Sequence, residues 1–168
     1  MSRRFITLSL AAGVLLQTLL SPWSAFGELE MPILNGLIIC IALHTDRARM
    51  LYAAVLAGLL RDAFCPAPLG LSIPFFVVLA MAVNWIRDEV FGDMPATYAV
   101  LGAVAAVFEM VYYAVIFSLS GLRPVSPGLL ALRLAGGLMV GIVVVPLVSL
   151  AVLQLRHHLI VHNRRRLI

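Results

Sequence analysis

Residues 96–119, with the sequence ATYAVLGAVAAVFEMVYYAVIFSL, decide the fold class, because Glu109 is their single charged residue. About 20 consecutive apolar residues in a helix cross the hydrocarbon core of a bilayer, so this stretch predicts a transmembrane helix. Five more apolar stretches lie along the chain, and the short linkers between them carry nearly all of the charge. We therefore predict an all-α integral membrane protein, one domain with six transmembrane helices at about 5–20, 31–43, 48–60, 71–86, 96–119 and 127–155.

The overall composition agrees with a membrane protein. The chain is 62% hydrophobic and 12% charged, whereas soluble domains are about 45–50% apolar and about 25% charged. Its linkers are too short to contain a soluble module. The net charge of +4 comes with twelve basic residues, all of them arginine. Most stand at segment ends, where they contact membrane lipids, so a nucleic-acid partner is excluded.

The distribution of arginines predicts the orientation. Six spans place both termini on one side, together with the linkers after the second and fourth spans. That side has nine arginines and the opposite side two, which makes both termini cytoplasmic by the positive-inside rule. The nine are Arg3, Arg4, Arg47, Arg49, Arg87, Arg156, Arg164, Arg165 and Arg166, and the two are Arg61 and Arg123. Residues 156–168 form a basic cytoplasmic tail, either a lipid-facing anchor or a contact for a cytoplasmic partner.

Two segments allow another interpretation. The stretches 31–43 and 48–60 are short enough to form a re-entrant hairpin. Such a hairpin would bury Arg47 and Arg49 at the membrane centre, at about 2.5–3.5 kcal/mol each, so two true spans are favoured. Residues 5–20 imitate a signal peptide, but this apolar run exceeds the usual core of about 7–15 residues, which favours a retained helix.

The sequence contains no pattern that indicates an enzyme. It has no nucleophile motif, no histidine pair at metal-ligand spacing and no glycine-rich phosphate loop. Cys40 falls inside an apolar span and Cys65 in a linker, so neither a disulfide nor a metal site is expected. We predict a protein with no catalytic residues, no metal and no cofactor.

Glu109 needs an explanation, because a carboxylate near the middle of a span is costly unless it is protonated or paired. Arg133 is the one basic residue placed inside a predicted span, and its long side chain can reach inward. We therefore expect an intramembrane polar pair of Glu109 and Arg133. Its role is either to fix helix packing, to form part of a proton or solute pathway, or to contact a partner.

Small residues recur at four-residue spacing in three spans. Such pairs let helices approach closely. They serve either internal packing, which we favour, or the docking of a foreign helix. The pairs are Ala54 and Gly58, Gly102 and Ala106, and Gly137 and Gly141.

The end of the third span has the most distinctive pattern. The chain reads Gly58-Leu59-Leu60-Arg61-Asp62, and Pro68-Leu69-Gly70 follows shortly after. Asp62 stands where the third helix surfaces and can accept hydrogen bonds from the amides of the turn. Gly70 gives the backbone freedom that other residues lack. Ser72 is expected to cap the fourth helix.

These residues resemble the signature of the MreD family of rod-shape-determining inner-membrane proteins, a helix ending in G-L-L-x-D followed by P-L-G. The resemblance marks Gly58, Arg61, Asp62, Pro68, Leu69 and Gly70 as a structural or partner-binding signature. It implies a non-enzymatic scaffold in the bacterial inner membrane that binds an MreC-like protein. Through that protein it would act with MreB, RodA and the elongation transpeptidase in cell-shape control and lateral peptidoglycan synthesis. The sequence leaves open whether the chain forms a homodimer.

The MreD family is also similar in fold to the substrate-binding membrane subunits of vitamin importers. This similarity supplies the alternative function, a small-solute carrier or importer subunit. Glu109 and the number of helices favour it, whereas the scarcity of polar residues in the spans favours the scaffold.

Overall fold

The computed structural model describes residues 3–19, 32–64, 69–87, 94–119 and 127–165, and within these ranges the regular structure is entirely α-helical. The helices match the six apolar stretches of the sequence one by one. Pro68 and Cys65 lie outside the described residues. The helices are α1 (Arg3–Leu19), α2 (Ile33–His44), α3 (Arg47–Phe64), α4 (Ser72–Ile86), α5 (Pro95–Leu119) and α6 (Pro127–Arg165).

The short helix α2 is the centre of the bundle. Every residue from Ile33 to Ala42 is buried, and α2 packs against all five other helices. A helix that is apolar on every side has to be surrounded by apolar groups of the protein or of the lipid, and in α2 the protein itself provides this cover. This explains why α2 has no polar face, and it makes the polar Asn35, which is 1% exposed, conspicuous.

Glycines stand where the backbones of neighbouring helices approach closely. A Cβ atom on Gly58 of α3 would lie 2.7 Å from the Cα of Ile73 in α4, and one on Gly141 of α6 would lie 2.7 Å from the carbonyl oxygen of Gly102 in α5. Only glycine allows backbones to pack at such distances. The prediction that small residues serve internal packing is confirmed for these three glycines.

Two stretches, Ala96–Ile116 in α5 and Leu134–Leu155 in α6, are long and apolar enough to cross a membrane, and 22% of each lies buried inside the bundle. Helices α2 and α4 are apolar but shorter. Only Thr45 and Asp46 separate α2 from α3. Helix α6 continues to Arg165, beyond the end predicted near residue 155, so much of the basic tail is helical.

Candidate functional site

Asp62 organises the turn between α3 and α4. One of its oxygens, Oδ2, accepts the backbone N–H of Gly70 at 2.7 Å and that of Ser72 at 3.1 Å. Gly70 has a φ of 97°, which is costly for residues with a Cβ and easy for glycine. The contacts that the sequence predicted for Asp62 and the conformational role predicted for Gly70 are both present. We call Leu69, Gly70, Leu71 and Ser72 the 69–72 turn.

The expected cap of α4 is different from the one in the structure. Ser72 is the first residue of α4 rather than its cap, and Leu71 at the cap position makes no side-chain capping bond. Asp62 supplies the acceptor instead, since it binds the first amide of the helix. A carboxylate also interacts favourably with the positive end of the helix dipole, so it replaces the neutral serine cap effectively.

Asp62 is itself buried, with 3% of its surface exposed. Its second oxygen, Oδ1, has no hydrogen-bond partner among the described residues. Helix α3 runs on to Phe64, past the end predicted near residue 60. Asp62 and Arg61 therefore belong to the last turns of a helix inside the bundle, and Arg61, predicted for the outer surface, is 9% exposed.

Glu109 joins three helices. Its Oε1 accepts a hydrogen bond from Nη1 of Arg61, with which it forms an ion pair. Its Oε2 accepts a second bond from Nδ2 of Asn35 at 2.6 Å. Helix α5 is thereby connected to α3 and to the central helix α2. Both oxygens of the carboxylate have donors, which offsets much of the cost of burying it.

The partner expected for Glu109 was Arg133. The side chain of Arg133 lies outside the described residues, so that pairing stays a prediction. The premise behind it was wrong, however, because Arg133 is not alone in being able to reach Glu109. Arg61 reaches the carboxylate from α3, since α3 extends further than its apolar run suggests.

Aromatic rings surround the guanidinium of Arg61. Its Cζ lies 5.0 Å from the centre of the Tyr113 ring and 5.9 Å from that of Phe76. Cation–π contacts of this kind stabilise a charge that has left water. Arg61 thus has an anion on one side and ring faces beside it, as a buried guanidinium requires.

Helix α5 also contacts the 69–72 turn directly. The hydroxyl groups of Tyr113 and Ser72 lie 2.6 Å apart, and the hydroxyl of Tyr112 donates to the carbonyl oxygen of Leu71 at 2.8 Å. The ring of Phe75, which is fully buried, packs against the rings of both tyrosines at centroid distances of 5.6 and 6.3 Å. Polar and aromatic contacts therefore fasten the turn from the side of α5.

These contacts form one arrangement, which we call the polar cluster, at the end of the bundle where α3 ends and α4 begins. We name that end the Asp62 end. The cluster consists of Asn35, Arg61, Asp62, Ser72, Glu109 and Tyr113. Sequence reasoning found Arg61, Asp62 and Glu109 separately but did not bring them together. The sequence could have indicated Tyr112 and Tyr113 as members of the same site, because they follow Glu109 at spacings of three and four and so share its helix face.

The remaining signature residues have distinct positions. Gly58 lies at a close contact between α3 and α4, and Leu69 is 75% exposed at the tip of the described turn. Among the described residues, no three His, Cys, Asp or Glu side chains come together as metal ligands. The chemistry that the described cluster supports is hydrogen bonding and charge pairing between helices.

No protein-family model matches this chain, and no curated protein or solved structure matches it.

Proposed function

We propose that this chain is a multi-pass scaffold of the bacterial inner membrane that resembles MreD and binds an MreC-like partner of the cell-elongation machinery. The observation that carries the proposal is the organisation of the signature residues. Asp62 binds the amides of Gly70 and Ser72, and Gly70 adopts the positive φ that the pattern requires of it. The signature residues on both sides of the linker therefore act as one structural unit.

Insertion in a membrane is supported by the outer surface of the bundle. Large apolar side chains are exposed along α1, α5 and α6, where they would contact lipid tails. In water such a surface would be a severe aggregation liability. Examples that are at least half exposed are Leu8, Leu15, Leu16, Leu19, Val100, Val104, Val111, Val115, Met139, Val143 and Leu147.

We further propose six spans with both termini in the cytoplasm, on the basis of the nine-to-two distribution of arginines. Four helices are shorter than the two clear candidates, and the bilayer would adapt to them by local thinning and by snorkelling of terminal arginines. In this orientation the Asp62 end faces the periplasm. The opposite end, with Asp46 and Arg87, faces the cytoplasm.

The 69–72 turn is the surface that suits a partner best. A docking site needs a defined backbone, and this turn is held by Asp62, by Tyr112 and by Tyr113. It also presents an exposed apolar side chain, Leu69. Apolar anchors on a rigid surface give affinity at a low cost in conformational entropy.

The test is the variant Asp62→Ala in a rod-shaped bacterium that depends on this protein. Removing the carboxylate frees two turn amides and costs about 0.5–2 kcal/mol, as loss of a helix cap does. Membrane insertion should survive, because the apolar stretches are unchanged. Rod shape and co-purification of the MreC-like protein should be lost. Trp85→Ala, at an exposed residue near the other end, is the matched control and should retain both.

Normal rod shape together with undiminished co-purification in Asp62→Ala, at normal membrane abundance, would refute this docking surface. The search would then move to the exposed apolar faces of α1, α5 and α6.

The second candidate function is a small-solute carrier or importer subunit. One observation favours it, since the charged pair Arg61 and Glu109 is buried within a helical bundle, where solute sites are often built. Native mass spectrometry of the protein released from mild detergent would test it. A bound small molecule that is lost in Glu109→Gln would support a carrier over a scaffold, and a neighbouring gene for an MreC-like protein would support the scaffold.

A further inference from the structure

Three side chains on one face of α5 converge on the Asp62 end. Glu109, Tyr112 and Tyr113 stand at positions i, i+3 and i+4, which lie together on a helix surface. Each makes a polar contact with α3, α4 or the residue preceding α4. Glu109 binds Arg61, Tyr112 binds the carbonyl of Leu71, and Tyr113 meets the hydroxyl of Ser72.

The backbone of α5 packs mainly against helices other than α3 and α4. It packs most extensively on α6 and also on α2, but only lightly on α4. Its influence on the 69–72 turn therefore passes through a few side chains, namely the polar contacts of Glu109, Tyr112 and Tyr113 and the packing of the two tyrosine rings on Phe75, rather than through a broad helix interface. A change in those side chains should alter the turn while the α5–α6 contact at Gly102 and Gly141 remains.

We propose that the face of α5 formed by Glu109, Tyr112 and Tyr113 positions the 69–72 turn for its partner, with Glu109 as the principal positioning residue. The inference rests on the proposed function, in which this turn is the docking surface. The partner binds the turn, and the α5 residues act through Arg61, Leu71 and Ser72 without belonging to the docking surface themselves.

Glu109 has this role because of the order of residues in α3. Arg61 directly precedes Asp62, and Asp62 holds the amides of Gly70 and Ser72. The ion pair with Glu109 fixes Arg61, whose guanidinium also lies beside the ring of Tyr113. Loss of the carboxylate would remove the anion that is paired with a buried cation, and we expect the last turns of α3 to shift in response. The Asp62 contacts would move with them.

A spin label attached to the 69–72 turn measures the mobility of the turn directly. A nitroxide is attached to Leu69→Cys in a chain that carries Cys40→Ala and Cys65→Ala, and a second protein carries the label at Trp85→Cys. Both side chains are exposed in the native protein. Room-temperature spectra of each protein in lipid nanodiscs, without any partner, give the ratio of mobile to immobile label.

We expect Glu109→Gln to raise this ratio at position 69 roughly tenfold, as the loss of a hydrogen bond to a charged group predicts. The ratio at position 85 should not change. Tyr113→Phe, which removes one hydroxyl and keeps the ring, should raise the ratio at position 69 by a smaller factor. If Glu109→Gln does not fold, the ratio at position 69 in Tyr113→Phe tests the inference in its place. Tyr52→Phe is the matched control, because its hydroxyl lies 3.1 Å from that of Thr7 between α1 and α3.

An unchanged spectrum at position 69 in the folded variants overturns the inference. An equal rise at positions 69 and 85 also overturns it, because that result reports general loosening of the bundle. The measurement involves no partner, so its outcome is independent of the docking proposal. If Asp62→Ala still binds the partner while Glu109→Gln mobilises the turn, the docking surface is refuted and the positioning role stands.

Discussion

The guanidinium of Arg61 and the carboxylate of Glu109 form an ion pair although 48 positions separate them in the sequence. Their side chains are only 10% and 16% exposed. The pair connects the end of α3 with the middle of α5, and Asn35 extends it to the central helix α2. Charges this well covered require partners, so the pair constrains how three helices assemble.

The first prediction concerns the energy of this pair. Glu109→Gln and Arg61→Gln should each destabilise the protein by up to about 3–5 kcal/mol, because each leaves one buried group without its partner. The double variant should lose less than the sum of the two, since no charge is stranded. Thermal unfolding in detergent of the four proteins measures the coupling. Additive losses would show that the two residues do not interact.

A second prediction separates Arg61 from Arg133 as the partner of Glu109. The same cycle with Arg133→Gln in place of Arg61→Gln should give little coupling, because both oxygens of Glu109 already have donors in Arg61 and Asn35. The measurement is again the thermal midpoint of the singles and the double. A coupling energy between Arg133 and Glu109 as large as that between Arg61 and Glu109 would show that Arg133 also pairs with Glu109.

The third prediction tests the close approach of α3 and α4. Gly58→Ala should cost about 1–3 kcal/mol, because the new methyl group meets the backbone of Ile73 at 2.7–2.8 Å and the helices must separate. Gly128→Ala in α6 is the control, since a Cβ there meets nothing within 4 Å. The free energy of unfolding in mixed detergent provides the comparison. Equal effects of the two substitutions would contradict the tight crossing.

The fourth prediction isolates backbone conformation in the turn. Gly70→Ala adds a Cβ that meets no atom within 4 Å, so its effect arises from the φ of 97° alone. We expect a loss of about 1–2 kcal/mol, and a smaller loss for Gly70→Asn, which tolerates this region better. Unfolding curves of the three proteins provide the measurement. A neutral Gly70→Ala would mean that the turn adopts another conformation in solution.

The fifth prediction concerns topology. With both termini in the cytoplasm, Cys65 should react with an impermeant thiol reagent added outside intact cells. Cys40 should not react with the reagent, because it is buried. A cysteine in place of the exposed Asp46, in a Cys65→Ala background, should react only after the cells are opened. The reverse pattern would invert the orientation.

The sequence alone determined the class of secondary structure. The run 96–119 has one charged residue, and the residues Ser120-Gly121 and Ser126-Pro127 in the sequence predict a helix end near 119 and a helix start near 127. The structure has α5 ending at Leu119 and α6 beginning at Pro127. Six helices follow from local composition, because apolar content and helix breakers are properties of neighbouring residues. The conformation of Gly70 and the acceptor role of Asp62 were also predictable, since both depend on a turn only a few residues long.

Only the tertiary structure decided which polar groups meet. The end of α3 was placed too early, because Arg61 and Asp62 were treated as the start of a surface linker. Their charges are compatible with a helix interior only when Glu109 and the amides of the 69–72 turn are present. Those partners come from distant parts of the chain. The pairing of Asn35 with Glu109 likewise depends on α2 occupying the centre of the bundle, a position set by packing among all six helices and absent from any local pattern.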